Sequence, residues 1–222
     1  MIETQTLKFL KDIESHNNRE WFEKHKSDYT LAQENIKALM VELEDGLNRS
    51  DSIESKKIFR IYRDVRFSKD KTPYKNYFSG YFKRLGAERR GSYYFSIQPN
   101  NTVIGGGFYG PNKEDLFRIR KEFEADGETI KGIVNDANFI KTFGTLQGNG
   151  VATAPKGFDK THPNIHFIRK KQFYAFRQFT DKEVLSKDFP KIAIETFIAI
   201  RPFFDYMSDV LTTNLNGESI LK

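Results

Sequence analysis

The stretch Tyr93-Tyr94-Phe95-Ser96-Ile97-Gln98-Pro99-Asn100-Asn101-Thr102-Val103-Ile104-Gly105-Gly106-Gly107-Phe108 decides the fold class. Two strand-like runs flank Pro99-Asn100-Asn101, a trio of turn formers, which is the pattern of a β-hairpin. Just upstream, residues 77–83 read as another strand. From Lys57 the hydrophobic period is two. Phe59, Ile61, Arg63, Val65 and Phe67 then share one face of a predicted strand, and Arg60, Tyr62, Asp64 and Arg66 the other. Connections this short cannot carry parallel crossovers, so the four strands predict an antiparallel sheet. Residues 173–179 read as a further strand.

Helices occupy both ends of the chain. Thr6 is placed to cap a short helix through Leu7, Phe9, Leu10 and Ile13. Asn17, with Glu20 three residues on, resembles a capping box opening a long helix. Its apolar positions, from Trp21 and Phe22 through Ile36 to Leu47, keep the 3.6-residue rhythm of a core-facing stripe to Asn48. Further helices are predicted after Pro111 and over 129–137. Thr180 to Glu183 resembles another helix start, and residues 192–200 and 203–215 read as one helix interrupted at Pro202. The expectation is a single α+β domain over 1–222, mostly antiparallel sheet with N- and C-terminal helices around it. Residues 1–50 are helical in this reading, 57–108 antiparallel strands, 111–140 helices and 141–163 an ordered loop. Residues 164–222 then supply a short helix, a strand and the C-terminal helices.

Composition narrows the function. The 222 residues include no cysteine, which excludes thiol catalysis, Cys-ligated metals and disulfides. No apolar run approaches the ~20 residues of a membrane-spanning helix, so no membrane partner is expected. Residues 1–6 lack the pattern of a secretory leader, which makes a cytoplasmic location the default. Aromatic residues, with 21 Phe and 10 Tyr against one Trp, should dominate much of the core.

The charge is local. Residues 56–90 carry twelve cations against three anions, a net of +9, whereas the whole chain carries +6 and the remainder therefore −3. A patch of this kind favours an anionic ligand more than overall charge does.

Within that segment lies Arg60-Ile61-Tyr62-Arg63-Asp64-Val65-Arg66-Phe67-Ser68-Lys69-Asp70-Lys71-Thr72-Pro73-Tyr74. It resembles the signature of a bacterial family known as domain of unknown function 2461: Arg-x-x-Arg-Asp-x-Arg-Phe, a short gap, Asp or Asn, Lys, two residues and Tyr. Asn17-Asn18-Arg19-Glu20-Trp21-Phe22, the Gly105-Gly106-Gly107 run and the Arg201-Pro202 break also resemble that family, so the likeness spans nearly the whole chain. The resemblance implies a stand-alone cytoplasmic domain of about this length. It brings no reaction, substrate or catalytic residue.

The residues themselves offer two readings. Arg60 and Arg66 flanking Asp64 form either a ligand-facing row of planar donors, suited to phosphate or carboxylate, or a structural ion network. Arg63, among apolar neighbours, is expected to be buried against an acidic partner outside its own strand. Lys71 and Tyr74 add a point charge and a directional hydroxyl, or belong to a solvated turn set by Pro73. Gly105, Gly106 and Gly107 either expose amides to an anion or leave packing space beneath aromatic rings. The run matches neither phosphate-loop pattern.

The histidines suggest no metal site. His162 and His166 are four apart, but Pro163 intervenes and no acidic third ligand is near. Arg169-Lys170-Lys171 before Phe173 and Tyr174 has the look of a nucleic-acid contact, though without the spacing of a known strand motif. No cofactor is expected, and nothing sets the oligomeric state.

The favoured reading is a small anionic ligand, phosphate- or carboxylate-bearing, bound by Arg60, Arg63, Arg66, Lys71, Tyr74 and the Gly105–Gly107 backbone. Asp64, Asp70 and Tyr74 are weak catalytic candidates should turnover follow. The alternatives are a nucleic-acid or acidic-protein surface over 56–90, and a purely structural network with function elsewhere. Asp64 inside the arginine cluster argues against a plain phosphate-backbone surface. The arginine row, about 20 Å long if strictly extended, suits an elongated ligand or two anionic groups.

Overall fold

A computed structural model describes residues 1–214 and 216–221. Its sheet consists of β1 (Ile53–Ile58), β2 (Phe78–Arg84), β3 (Ser92–Ile97), β4 (Thr102–Phe108) and β5 (Phe173–Phe179). The strands are antiparallel and lie in sequence order; short connections join β2 to β3 and β3 to β4, whereas residues 59–77 and 109–172 make the other two. Asn100, at φ 59, makes the predicted turn of the β3–β4 hairpin, where Asn101 N–H donates to Gln98 O at 3.0 Å.

The helices among the described residues are α1 (Thr4–Ser15), α2 (Arg19–Lys24), α3 (Lys26–Leu47), α4 (Lys113–Ala125), α5 (Glu128–Val134), α6 (Ala137–Phe143), α7 (Ile165–Ile168), α8 (Asp181–Val184), α9 (Phe189–Ala199) and α10 (Arg201–Thr212). The fold is therefore α+β, as predicted. The C-terminal helix breaks at Ile200, one residue before Arg201-Pro202, which puts proline in the first turn of α10 where its missing N–H costs nothing. The last residue predicted for that helix, Leu215, lies outside the described residues.

Several local predictions need correction. Thr6 does not cap α1; it sits inside the helix, and its hydroxyl donates to Asn35 Oδ1 at 2.8 Å. Asn18, not Asn17, caps the next helix by accepting from Trp21 N–H. The long helix predicted from Asn17 divides at His25 into α2 and α3. The helix predicted over 129–137 ends at Val134, and Asp136 caps a separate α6 that takes up the first residues assigned to the ordered loop.

The largest correction concerns 57–67. Regular strand ends at Ile58, and residues 59–77 form an irregular excursion before β2.

The chain groups into two compact units. Residues 1–82, 94–104 and 178–195 form the first; residues 83–93, 105–177 and those from Thr196 onward form the second. In the first, α1 packs on α3, and rings fill the core: Phe9 lies 6.1 Å from Trp21 and 6.5 Å from Phe78. In the second, α10 packs on α4 and α5, with Phe204 centred 5.1 Å from Tyr93 and 5.9 Å from Phe108. Both cores are aromatic, as the composition predicts.

Candidate functional site

The excursion 59–77 belongs to the first unit and is held by bonds that imitate a strand pair. Phe59 N–H donates to Ser79 O, Lys75 N–H to Ile61 O and Arg63 N–H to Pro73 O, each at 2.8 Å. Tyr62 and Tyr74 form an isolated antiparallel bridge. The Asn17 side chain supplies the other edge. Its Oδ1 accepts from Tyr74 N–H at 3.1 Å, and its Nδ2 donates to Tyr74 O at 2.9 Å. An amide side chain offers one donor and one acceptor side by side, so it can satisfy a backbone residue as a neighbouring strand does.

Tyr74 is thereby locked into the core, its ring stacked on Phe22 at 4.1 Å and 11°. Burial follows the predicted alternation through Ile61, Arg63 and Val65, then fails: Phe67 is 97% exposed.

The charged residues resolve into two pairs. Asp64 accepts Arg66 Nε at 2.9 Å and Nη2 at 2.6 Å, a two-pronged pair. That side chain and the Arg66 backbone N–H hold the Asp64 carboxyl below the usual carboxylate range. Arg63 pairs with Asp70 and also donates from Nε to Tyr74 O at 3.0 Å. Asp70 is likewise held low, chiefly by the Thr72 backbone N–H and hydroxyl, with Arg63 contributing. Both carboxylates stay ionised at neutral pH and are weak bases, which suits pairing better than proton transfer.

Arg63 departs from expectation in one respect. It has its acidic partner, but its side chain is 31% exposed and Asp70 47% exposed, so this is not a buried pair. Arg63→Met is therefore expected to cost about 1–2 kcal/mol in urea unfolding, below the ~3–5 of a broken buried pair. A loss above 3 would restore the buried-pair reading.

Beside these pairs the excursion borders an open depression of about 420 Å³, lined by Arg60, Tyr62, Arg63, Asp64, Ser68, Lys75 and Tyr77. Of the predicted residues, Arg60, Arg63 and Asp64 line it. Arg66, Lys71 and Tyr74 do not. Arg66 is turned onto Asp64, Lys71 Nζ donates to Val65 O at 2.9 Å, and the Tyr74 ring faces Phe22. The four-residue convergence of Arg60, Arg66, Lys71 and Tyr74 is thus not observed, because the extended row it required ends where β1 ends.

Lys75 replaces the missing members. Its ammonium lies 5.7 Å from the Phe59 ring centre and 5.6 Å from that of Tyr77. Among the described residues it has no carboxylate within ion-pair distance. Burial, reinforced by Arg60 and then Arg63, pushes it below the usual lysine range. Arg60, which is exposed, likewise has no carboxylate within ion-pair distance among the described residues, although its charge helps to hold the Asp64 carboxyl low. Arg60, Arg63, Arg66 and Lys75 thus outnumber Asp64 and Asp70 by two charges. Burial pushes the Tyr77 phenol up, with Tyr94 adding to it, while Arg63 opposes the shift.

The glycine run lies in the second unit. An added Cβ at Gly105 would meet Ala175 O at 2.0 Å, at Gly106 Ser92 O at 2.4 Å and the Phe204 ring at 2.8 Å, and at Gly107 Phe173 O at 2.3 Å. Neighbouring strands and rings thus occupy the space beside all three.

The second unit also has a depression of about 590 Å³ that includes Arg118, Lys121, Glu122 and Tyr206. Its cations are already engaged: Arg118 by the carbonyls of Val210 and Thr213, Lys121 by Glu124 at 2.7 Å. Arg84, counted in the basic segment, is only 2% exposed and pairs with Asp205 at 2.6 Å. Among the described residues no group of three His, Asp or Glu could hold a metal ion.

Sequence reasoning missed Lys75, Tyr77 and Tyr62 as site residues. Lys75 follows Tyr74 directly and was visible as one of the segment's cations, but only the fold shows which cations lack a partner.

The chain belongs to the family described as conserved hypothetical protein (DUF2461), whose model matches residues 5–206. No curated protein and no solved structure matches it.

Proposed function

We propose that this member of the family binds a small anionic ligand, phosphate- or carboxylate-bearing, in the depression of the 59–77 excursion, with Arg60, Lys75 and Arg63 as its donors. One observation carries the reading. Lys75 is partly buried beside Arg60 and Arg63, with no carboxylate within ion-pair distance among the described residues, and its pKa is lowered by burial and by those two cations. Like charges brought together out of water are unfavourable unless an anion joins them. The surplus of two charges matches a dianion such as a phosphate monoester. Asp64 and Asp70, interleaved with the cations, speak against a surface for nucleic-acid backbone, to which carboxylates contribute only repulsion.

Inorganic phosphate at about a hundred times its Kd is expected to stabilise the fold by ~2.7 kcal/mol, raising Tm by roughly 5–10 °C. Lys75→Met, which keeps an unbranched stem over Phe59 and Tyr77, should abolish the shift, and Arg60→Gln should reduce it. An equal shift in wild type and Lys75→Met would assign the effect to general salting and end the proposal.

The pH dependence has a definite sign. The folded chain disfavours protonated Lys75, so the free protein gains stability as pH rises through the lowered Lys75 pKa. A bound dianion does the reverse, favouring the ammonium. Sulfate, which does not titrate in this range, should bind more weakly as pH rises past that pKa, with net proton uptake. Calorimetry in buffers of different ionisation enthalpy reads that uptake directly; heats independent of buffer would contradict it.

A further inference from the structure

Resting on the anion-site reading above, we infer that the ligand is a nucleoside monophosphate, with its phosphate at Arg60 and Lys75 and its base stacked on Tyr62. Three features lead there. The volume of about 420 Å³ fits a drug-sized molecule better than an inorganic ion. Tyr62 lines the depression and is 44% exposed. It is not a loose surface ring: its backbone is bridged to Tyr74, and its ring rests edgewise on Phe22 at 5.7 Å and tilted on Tyr74 at 5.4 Å. A rigid aromatic surface in a cationic recess is a ready platform for a planar ring.

The third feature is the acid. Asp64 lines a recess that otherwise recruits anions, and a bare phosphate gains nothing from it. A carboxylate has about four acceptor sites, and Arg66 fills three of those on Asp64 through Nε, Nη2 and its backbone N–H, which leaves Oδ2 room for one further donor. A sugar hydroxyl, or the amino group of a base, supplies it. A ligand that combines a dianion, hydroxyl donors and a planar ring uses the lining as a whole.

Calorimetry with inorganic phosphate, ribose 5-phosphate, adenosine monophosphate and uridine monophosphate tests this. At least one mononucleotide is expected to bind about tenfold more tightly than ribose 5-phosphate, in line with the worth of one stacked base. Tyr62→Leu, which retains apolar packing on Phe22, should remove that factor and so bring mononucleotide affinity down to that of ribose 5-phosphate. Equal binding of ribose 5-phosphate and both mononucleotides, or equal loss for all ligands in Tyr62→Leu, overturns the nucleotide assignment while leaving an anion site. An oligouridylate binding far more tightly than uridine monophosphate would replace it with a single-stranded nucleic acid. If none of the four compounds binds, the anion site itself is wrong and this inference falls with it.

Discussion

Replacing Gly105 by alanine is expected to destabilise the protein by about 3 kcal/mol, the upper end of the usual cost of overpacking. The added methyl carbon would lie 2.0 Å from Ala175 O and 2.9 Å from the Phe176 ring. A side-chain tip in that position can rotate away. A carbonyl of β5 cannot, because it belongs to the next strand of the sheet. Relief therefore requires β4 and β5 to separate, losing ladder bonds and the apolar contacts beneath them. Against a total stability of about 5–15 kcal/mol, such a loss leaves some chains unable to accumulate. Urea unfolding at constant m-value measures it. A cost below 1 kcal/mol would mean the strands yield locally and the glycine is not needed for their approach.

The second large effect comes from Arg84, among the described residues the one arginine that is fully buried. Arg84 is 2% exposed, its Nη2 donates to Asp205 Oδ1 at 2.6 Å, its Nη1 to Arg90 O at 3.2 Å, and its guanidinium lies 5.6 Å from the Phe204 ring centre. Asp205 is 55% exposed. The pair is therefore asymmetric. Asp205→Ala leaves a buried cation short of its counter-charge and is expected to cost about 3 kcal/mol, the low end for a broken buried pair because water reaches the vacated side. Arg84→Met leaves Asp205 half-exposed beside Arg201, whose Nε lies 3.9 Å from Oδ2, and puts an apolar chain among rings, so it should cost less than Asp205→Ala. The double variant should resemble Arg84→Met alone. Equal costs for the two single variants would show that the aspartate contributes little and that packing carries the effect.

The site in the first unit and the arginine in the second separate what the charged segment does. Lys75 is partly buried without a counter-charge, and Arg84 is buried with one. Composition assigns both to the same basic patch. Anion binding should respond to Lys75→Met with little change in stability, whereas Asp205→Ala should do the opposite.

The hairpin of β3 and β4 was legible in residues 93–108 because everything that makes it is local. Alternation sets the faces, and Asn100 tolerates the positive φ of the turn. The break at Arg201-Pro202 and the helix start at Thr180 to Glu183, which the structure shows to be a capping box, were legible for the same reason. The excursion 59–77 was not. Its residues alternate as a strand would, but a strand exists only where a partner lies alongside, and here Asn17, 57 residues away, stands in as partner to Tyr74.

The choice of buried arginine was equally non-local. Alternation pointed to Arg63 among Phe59, Ile61 and Val65, yet continuing Phe78, Gly80 and Phe82 by one step reaches Arg84, and that is the side chain the core encloses. The sequence by itself determined the α+β class, the antiparallel hairpin, the aromatic core and the concentration of positive charge. Tertiary structure alone decided which of those charges are cancelled, because pairing depends on distance through space, and spacing along the chain records it only where the backbone is regular.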